Sequence, residues 1–208
     1  MRASSLLSVL AAASAASAAA PPGFLRGVNI GAWLVLEKWM TPEVFDIAPS
    51  TDDEFTLCES LGADACRSHL ESHWSGDWFD QNTVRDLQAA GINALRIPIG
   101  FWAFDNADTP YVQGAAEWMD KAIGWAREAN MKVWVDLHGA PGSQNGFDNS
   151  GHAGEVNWQK DGNIERTRAV LVQMAKRYGT KEYKDVVAAI QLINEPINWG
   201  MFFCSSRG

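Results

Sequence analysis

Val186-Val187-Ala188-Ala189-Ile190-Gln191-Leu192-Ile193 is almost continuously apolar and is bounded by Asp185 and Asn194. Near-continuous apolar runs of this length read as parallel strands buried on both faces. Pro196 has no N–H, so pairing stops there, and Asn194 and Glu195 fall at the strand's carboxyl end. Three earlier stretches also read as strands: residues 26–31, 94–99 and 132–138. Amphipathic stretches between them predict helices over residues 51–73 (broken at Gly62), 80–90 (stopped by Gly91), 115–130 and 163–178. Residues 139–158 form a long Gly/Asn-rich loop.

Strands alternating with helices predict an α/β fold with a parallel sheet. Each strand carries polar groups at or near its end: Asn29, Arg96, Asp136 with His138, and Asn194 with Glu195. Their convergence on one edge is the pattern of a (β/α)8 TIM barrel, whose chemistry sits at the carboxyl ends of the strands. A full barrel takes about 250 residues. The expectation is therefore a barrel shortened to about its first four β/α units, spanning residues 19–197. The tail, residues 198–208, has neither a helical period nor a strand pattern. An acid held in an apolar setting at a strand end has a raised pKa and suits general acid work. A solvated Asn-Glu turn is the other reading of that strand end.

Composition narrows the partners. The 208 residues carry a net charge of −8, which argues against nucleic acid or an anionic membrane surface. Ten Trp serve either a core or sugar stacking. Residues 1–20 read as a secretory signal. Arg2 is the charged start, an apolar stretch follows, and Ala16-Ser17-Ala18 is the cleavage site, so export would leave a chain beginning near Ala19. The leader is too short and Ala-rich to span a membrane. Three cysteines are an odd number for an exported protein. On one straight helix Cys58 and Cys66 would stand roughly 12 Å apart, too far to bridge, so two buried thiols are expected. No Asn-x-Ser/Thr sequon occurs. His69 and His73 stand four apart on a helix; a helix surface, not a metal site, is the reading.

Four stretches together resemble a known family. They are Arg26-Gly27-Val28-Asn29-Ile30-Gly31-Ala32-Trp33-Leu34-Val35-Leu36-Glu37, Arg96-Ile97-Pro98-Ile99-Gly100, the loop from Asp136-Leu137-His138-Gly139 to Ser150-Gly151, and Leu192-Ile193-Asn194-Glu195-Pro196. They resemble the fungal exo-β-1,3-glucanases, retaining enzymes of glycoside hydrolase family 5. The resemblance implies a secreted or cell-wall hydrolase of β-1,3-glucan that releases glucose from the non-reducing end without a cofactor or metal. It implies Glu195 as general acid/base, Asn194 on the sugar 2-OH, and Arg96 and His138 supporting the catalytic carboxylates and the sugar. Glu37, Asp148 and Asn149 would grip the hydroxyls of the terminal glucose in a closed pocket, and Phe147 would stack on the next sugar. Another retaining β-glucanase or transglucosylase, or a non-catalytic glucan-binding fragment, are the alternatives. The chain departs from the family at Ala32, where Gly is usual, and at Lys38-Trp39, where Pro and an aromatic are usual. The family's second carboxylate, the nucleophile, belongs to a later strand that these 208 residues do not include.

Overall fold

A computed structural model describes residues 24–197. The expected signal and tail, with Cys204, lie outside the described residues. Four strands, β1 (Gly27–Asn29), β2 (Ala94–Gly100), β3 (Lys132–Gly139) and β4 (Val187–Gln191), form one sheet in the order β1-β2-β3-β4. Every pairing is parallel. The connections carry helices α1 (Glu54–Leu61), α2 (Ala63–Trp74), α3 (Gln81–Ala89), α4 (Ala115–Glu128) and α5 (Asn163–Tyr178). Among the described residues no helix is long and apolar enough to cross a membrane.

Local chemistry sets the helix starts. The Asp53 side chain accepts from the Thr56 backbone N–H at 2.8 Å and caps α1, and Asp80 does the same for α3 through Thr83 at 2.7 Å. The strand period then divides the sheet's two faces. Leu95, Ile97 and Ile99 of β2 and Val133, Val135 and Leu137 of β3 are fully buried and form the core with helix residues such as Met119, Ile123, Val170 and Met174. The alternate positions, Arg96, Trp134, Asp136 and His138, face the concave side, in register: Arg96 pairs with Trp134 and Pro98 with Asp136.

Three expectations are corrected. First, β4 is an edge strand here and none of its residues is fully buried; Leu192, just beyond it, is 64% exposed. Its one sheet neighbour among the described residues is β3, and α5 packs against it. Second, the surface reading of His69 and His73 underestimates them. Their Nε2 atoms lie 2.7 Å from the Val44 carbonyl and 2.8 Å from the Ala32 carbonyl, so α2 holds the segment that follows β1. Burial pushes the His73 ring below its usual pKa. Third, Cys58 and Cys66 are joined in a disulfide. The straight helix assumed for them does not exist. At Gly62 the backbone turns to φ +76°, ending α1 and starting α2, and the two Cα atoms come within 5.0 Å. A side chain would be strained in that left-handed conformation, and glycine is not.

The bridge closes a loop of eight residues' separation, which in the chain-entropy picture is worth about 2–3 kcal/mol. Cys66→Ser is predicted to lower Tm by about 5–10 °C. Thermal melts with and without reductant check this, since reductant should lower the wild type and leave the variant unmoved.

Candidate active site

The concave edge of the sheet carries a closed hydrogen-bonded ring. Arg96, on β2, donates from Nη2 to Asn194 Oδ1 at 2.9 Å and meets Asp136 Oδ2 at the same distance. Asp136, on β3, also takes His138 Nδ1 at 2.5 Å. His138 Nε2 faces Asn194 Nδ2 at 3.3 Å. Arg96 reaches two further strand ends, donating to Asn29 Oδ1 at 2.6 Å and Gln191 Oε1 at 2.9 Å. The spacing is simple in origin. Asp136 and His138 are two apart on one strand and share a face, while the parallel register brings Arg96 alongside.

The loop after β3 closes over this ring. Gln144, fully buried, donates from Nε2 to the backbone carbonyls of His138 (2.6 Å) and Asn194 (3.0 Å) and accepts the Ala140 N–H at 3.0 Å. It ties the end of β3 to the residues after β4. Glu195 lies next to the ring in the left-handed region, φ +43°. A non-glycine residue held there is strained, and such strain clusters at functional sites. Glu195 is exposed, so the described residues do not surround it with the apolar setting expected of a strand-end acid. Its side chain accepts from Asn149 Nδ2 at 3.2 Å.

Through Asn149, Glu195 connects to an open cleft of about 710 Å³ lined by Glu37, Lys38, Trp39, Asp52, Gly146, Phe147, Asp148, Asn149 and Ala153. The four residues read as sugar-binding, Glu37, Phe147, Asp148 and Asn149, are thus brought together. The cleft is not the closed pocket expected: Trp39 is 73% and Phe147 52% exposed. Trp39 donates its indole N–H to Glu37 Oε2 at 3.1 Å, and Lys38 clamps the Thr51 carbonyl (2.6 Å) and Asp52 (3.0 Å). Burial, with Asp53 and Asp52 nearby, pushes the Asp148 carboxyl above the usual range, while hydrogen bonds from the Asn149 and Asp148 N–H groups pull it down.

Comparisons with known proteins decide the family. The family model for cellulase (glycosyl hydrolase family 5) matches residues 58–200. The chain belongs to glycosyl hydrolase family 5. It is 44% identical over 182 residues to glucan 1,3-beta-glucosidase 1 of Schizosaccharomyces pombe, covering 85% of this chain and 44% of that protein. It is 48% identical over 181 residues to a glucan 1,3-beta-glucosidase of Schwanniomyces occidentalis, covering 83% and 42%. The chain thus spans under half the length of these relatives. Among solved structures, rutinosidase from Aspergillus niger superposes with a TM-score of 0.76 at 26% identity, over 83% of this chain and 49% of that one. The four-stranded parallel sheet with its helices is therefore part of the family 5 barrel.

Behind this family 5 cleft sits a support that the sequence reading missed. Trp102 is fully buried and stacks on Tyr111 with ring centroids 4.1 Å apart. The end of β3 and the loop that follows pack directly against it: a Cβ added at Gly139 would lie 2.7 Å from Trp102 and 2.5 Å from the Ser150 carbonyl, and one added at Gly151 would also run into Trp102. The Trp102 indole donates at 2.7 Å to Glu54, whose other oxygen accepts the Leu36 N–H at 3.2 Å. One carboxyl thus links the segment bearing Glu37 to the wall that carries the loop. Nothing in the sequence sets Glu54 apart from an ordinary first-turn helix acid. Ala32, where the family resemblance has glycine, is fully buried at φ +55°, a left-handed conformation that costs a residue with a Cβ about 1–2 kcal/mol.

Burial pushes Glu54 up to about 8 from 4.5, against the opposing pull of the Leu36 N–H and the Trp102 indole. The folded chain therefore keeps a proton that the unfolded chain loses above 4.5. Stability falls as pH rises between 4.5 and 8, by on the order of a few kcal/mol. Glu54→Gln is predicted to cost about 1–2 kcal/mol at pH 5 through its lost acceptor and to flatten the decline. Urea midpoints at pH 5 and pH 8 check it; equal slopes in wild type and variant would contradict it.

Proposed function

We propose that the protein carrying this chain hydrolyses β-1,3-glucan from the non-reducing end, releasing glucose with retention, outside the cell or in its wall. Glu195 is the general acid/base: it protonates the leaving glycosidic oxygen, then takes a proton from the water that resolves the intermediate. Asn194 donates to the sugar 2-OH, a contact that tightens in the oxocarbenium-like transition state. Glu37, Asp148 and Asn149 accept and donate at the hydroxyls of the terminal glucose. Trp39 and Phe147, both exposed at the cleft, offer flat faces to sugar rings. The glucan 1,3-beta-glucosidase names of the relatives support the substrate, and the leader residues 1–18 support export.

One observation carries this reading: Asn149 touches both the sugar-binding cleft and, at 3.2 Å, the carboxylate of Glu195. The proton donor is thereby coupled to the place where a terminal sugar would sit. Retention needs a second carboxyl about 5–5.5 Å from the first. Of the described acids on the concave edge, Asp136 is engaged by Arg96 and His138, while Glu37 and Asp148 line the cleft. The proposal therefore gives the nucleophile to a later strand of the barrel.

The test is glucose release from a linear β-1,3-glucan, with the anomer followed by proton NMR. In the enzyme of which this chain is the first half, Glu195→Gln is expected to lower kcat by about 10²–10⁴-fold, and the first-formed glucose to be the β-anomer. The 208-residue chain alone is expected to show no turnover above its own Glu195→Gln variant. Unchanged turnover in the variant of the whole enzyme, or an α-anomer, would reject the proposal.

A further inference from the structure

We infer that Asp136 is a positioning residue that holds the His138 proton on Nδ1 and so, together with Arg96, fixes the direction of the hydrogen bonds in the concave ring, leaving Nε2 to accept from the amide of Asn194. The inference rests on the proposed role of Asn194 only for its consequence; the geometry stands apart from it.

Arg96 has donors only, so the atom of Asn194 facing its Nη2 at 2.9 Å has to be the amide oxygen. That puts the Asn194 NH₂ toward His138 Nε2, 3.3 Å away. A donor facing Nε2 requires a lone pair there, so the ring carries its proton on Nδ1. Asp136 provides the acceptor for that proton: its Oδ2 lies 2.5 Å from Nδ1 and also takes Arg96 at 2.9 Å. The ring closes in one sense only, from Arg96 to Asn194 oxygen, from Asn194 nitrogen to His138, and from His138 to Asp136. With Asp136 absent, either imidazole nitrogen would serve as donor, and a proton on Nε2 would confront the Asn194 NH₂ with another donor.

Two observations mark Asp136 as held for this purpose. It is fully buried, and its Oδ1 has no hydrogen-bond partner among the described residues. A buried carboxylate oxygen left bare is costly, and a core strand position is more cheaply filled by an apolar residue. The second N–H of Asn194 is left free for a sugar hydroxyl, with its direction fixed from both ends of the amide.

The experiment reads the imidazole directly, in the ¹⁵N-labelled chain, by long-range proton–nitrogen correlation at pH 8. The His138 signals are identified from their loss in His138→Gln. In wild type, Nδ1 is expected to carry the proton and Nε2 to show the shift of a bare nitrogen. In Asp136→Ala, His138 is expected to pass to a mixture in which the Nε2–H form is populated, and the Asn194 side-chain amide to shift with it. Asp136→Glu, which keeps an acceptor, restores part of the Nδ1–H form. A wild-type ring protonated on Nε2 overturns the inference without any variant, so it remains refutable even if Asp136→Ala fails to fold. A folded Asp136→Ala chain that keeps its proton on Nδ1 overturns it as well. No substrate enters this test, so failure of the glucan reading leaves it intact. In the whole enzyme the same variant is expected to lose about 100-fold in kcat with KM little changed.

Discussion

One guanidinium organises the functional edge of this molecule. Arg96 projects from β2 and contacts the ends of β1 through Asn29, β3 through Asp136, and β4 through Gln191 and Asn194. A fixed positive charge beside a fully buried carboxylate constrains everything around it. Removing one partner of a buried ion pair costs about 3–5 kcal/mol, because the other charge is left bare. The planar fork of arginine also dictates where acceptors stand. The parallel register supplies those positions. Adjacent strands bring side chains of equal parity to one face, and on that face Arg96 stands within β2 where it reaches the polar residues of β3 and those at the ends of β1 and β4.

A second, more distant constraint shapes the cleft. The loop after β3 has few apolar side chains of its own, and its order comes from anchors at both ends. Gln144 fixes it to the backbone of β3 and of the segment after β4. On the other side the Gly151 carbonyl accepts the Phe55 N–H at 3.0 Å, and Asp53 accepts the Ala153 N–H at 2.8 Å. Trp102 forms the wall that the loop presses on. Asp148 and Asn149 lie between these anchors, so their placement toward Glu195 is a product of the packing and not of the loop sequence alone.

The strand and helix pattern was legible because burial enforces periodicity. Residues 163–178 read as a helix and α5 spans Asn163–Tyr178; the strand order and the polar strand ends followed from the same signal. What the sequence hid depends on contacts made far along the chain. Glu54 looks like any acid in a helix's first turn until Leu36 and Trp102 close on it. Gln144 is one polar residue in a loop of many. The break at Gly62 is legible, but the sequence does not give the angle at which α2 leaves it, and the straight-helix distance between Cys58 and Cys66 fails for that reason. The Trp count was ambiguous for good reason: Trp33, Trp74 and Trp102 fill the core, while Trp39 stands out at the cleft.

Family membership gives the barrel; the geometry of this chain adds how the cleft proposed to bind sugar is joined to Glu195, the proposed proton donor. That junction is tested most directly by a crystal structure of the whole enzyme, as its Glu195→Gln variant, soaked with a short β-1,3-gluco-oligosaccharide. The account predicts a terminal glucose held between Glu37 and Asp148, with its 2-OH within hydrogen-bond distance of Asn194 Nδ2. A sugar seated elsewhere, with Asn194 still bonded only within the ring, would contradict it.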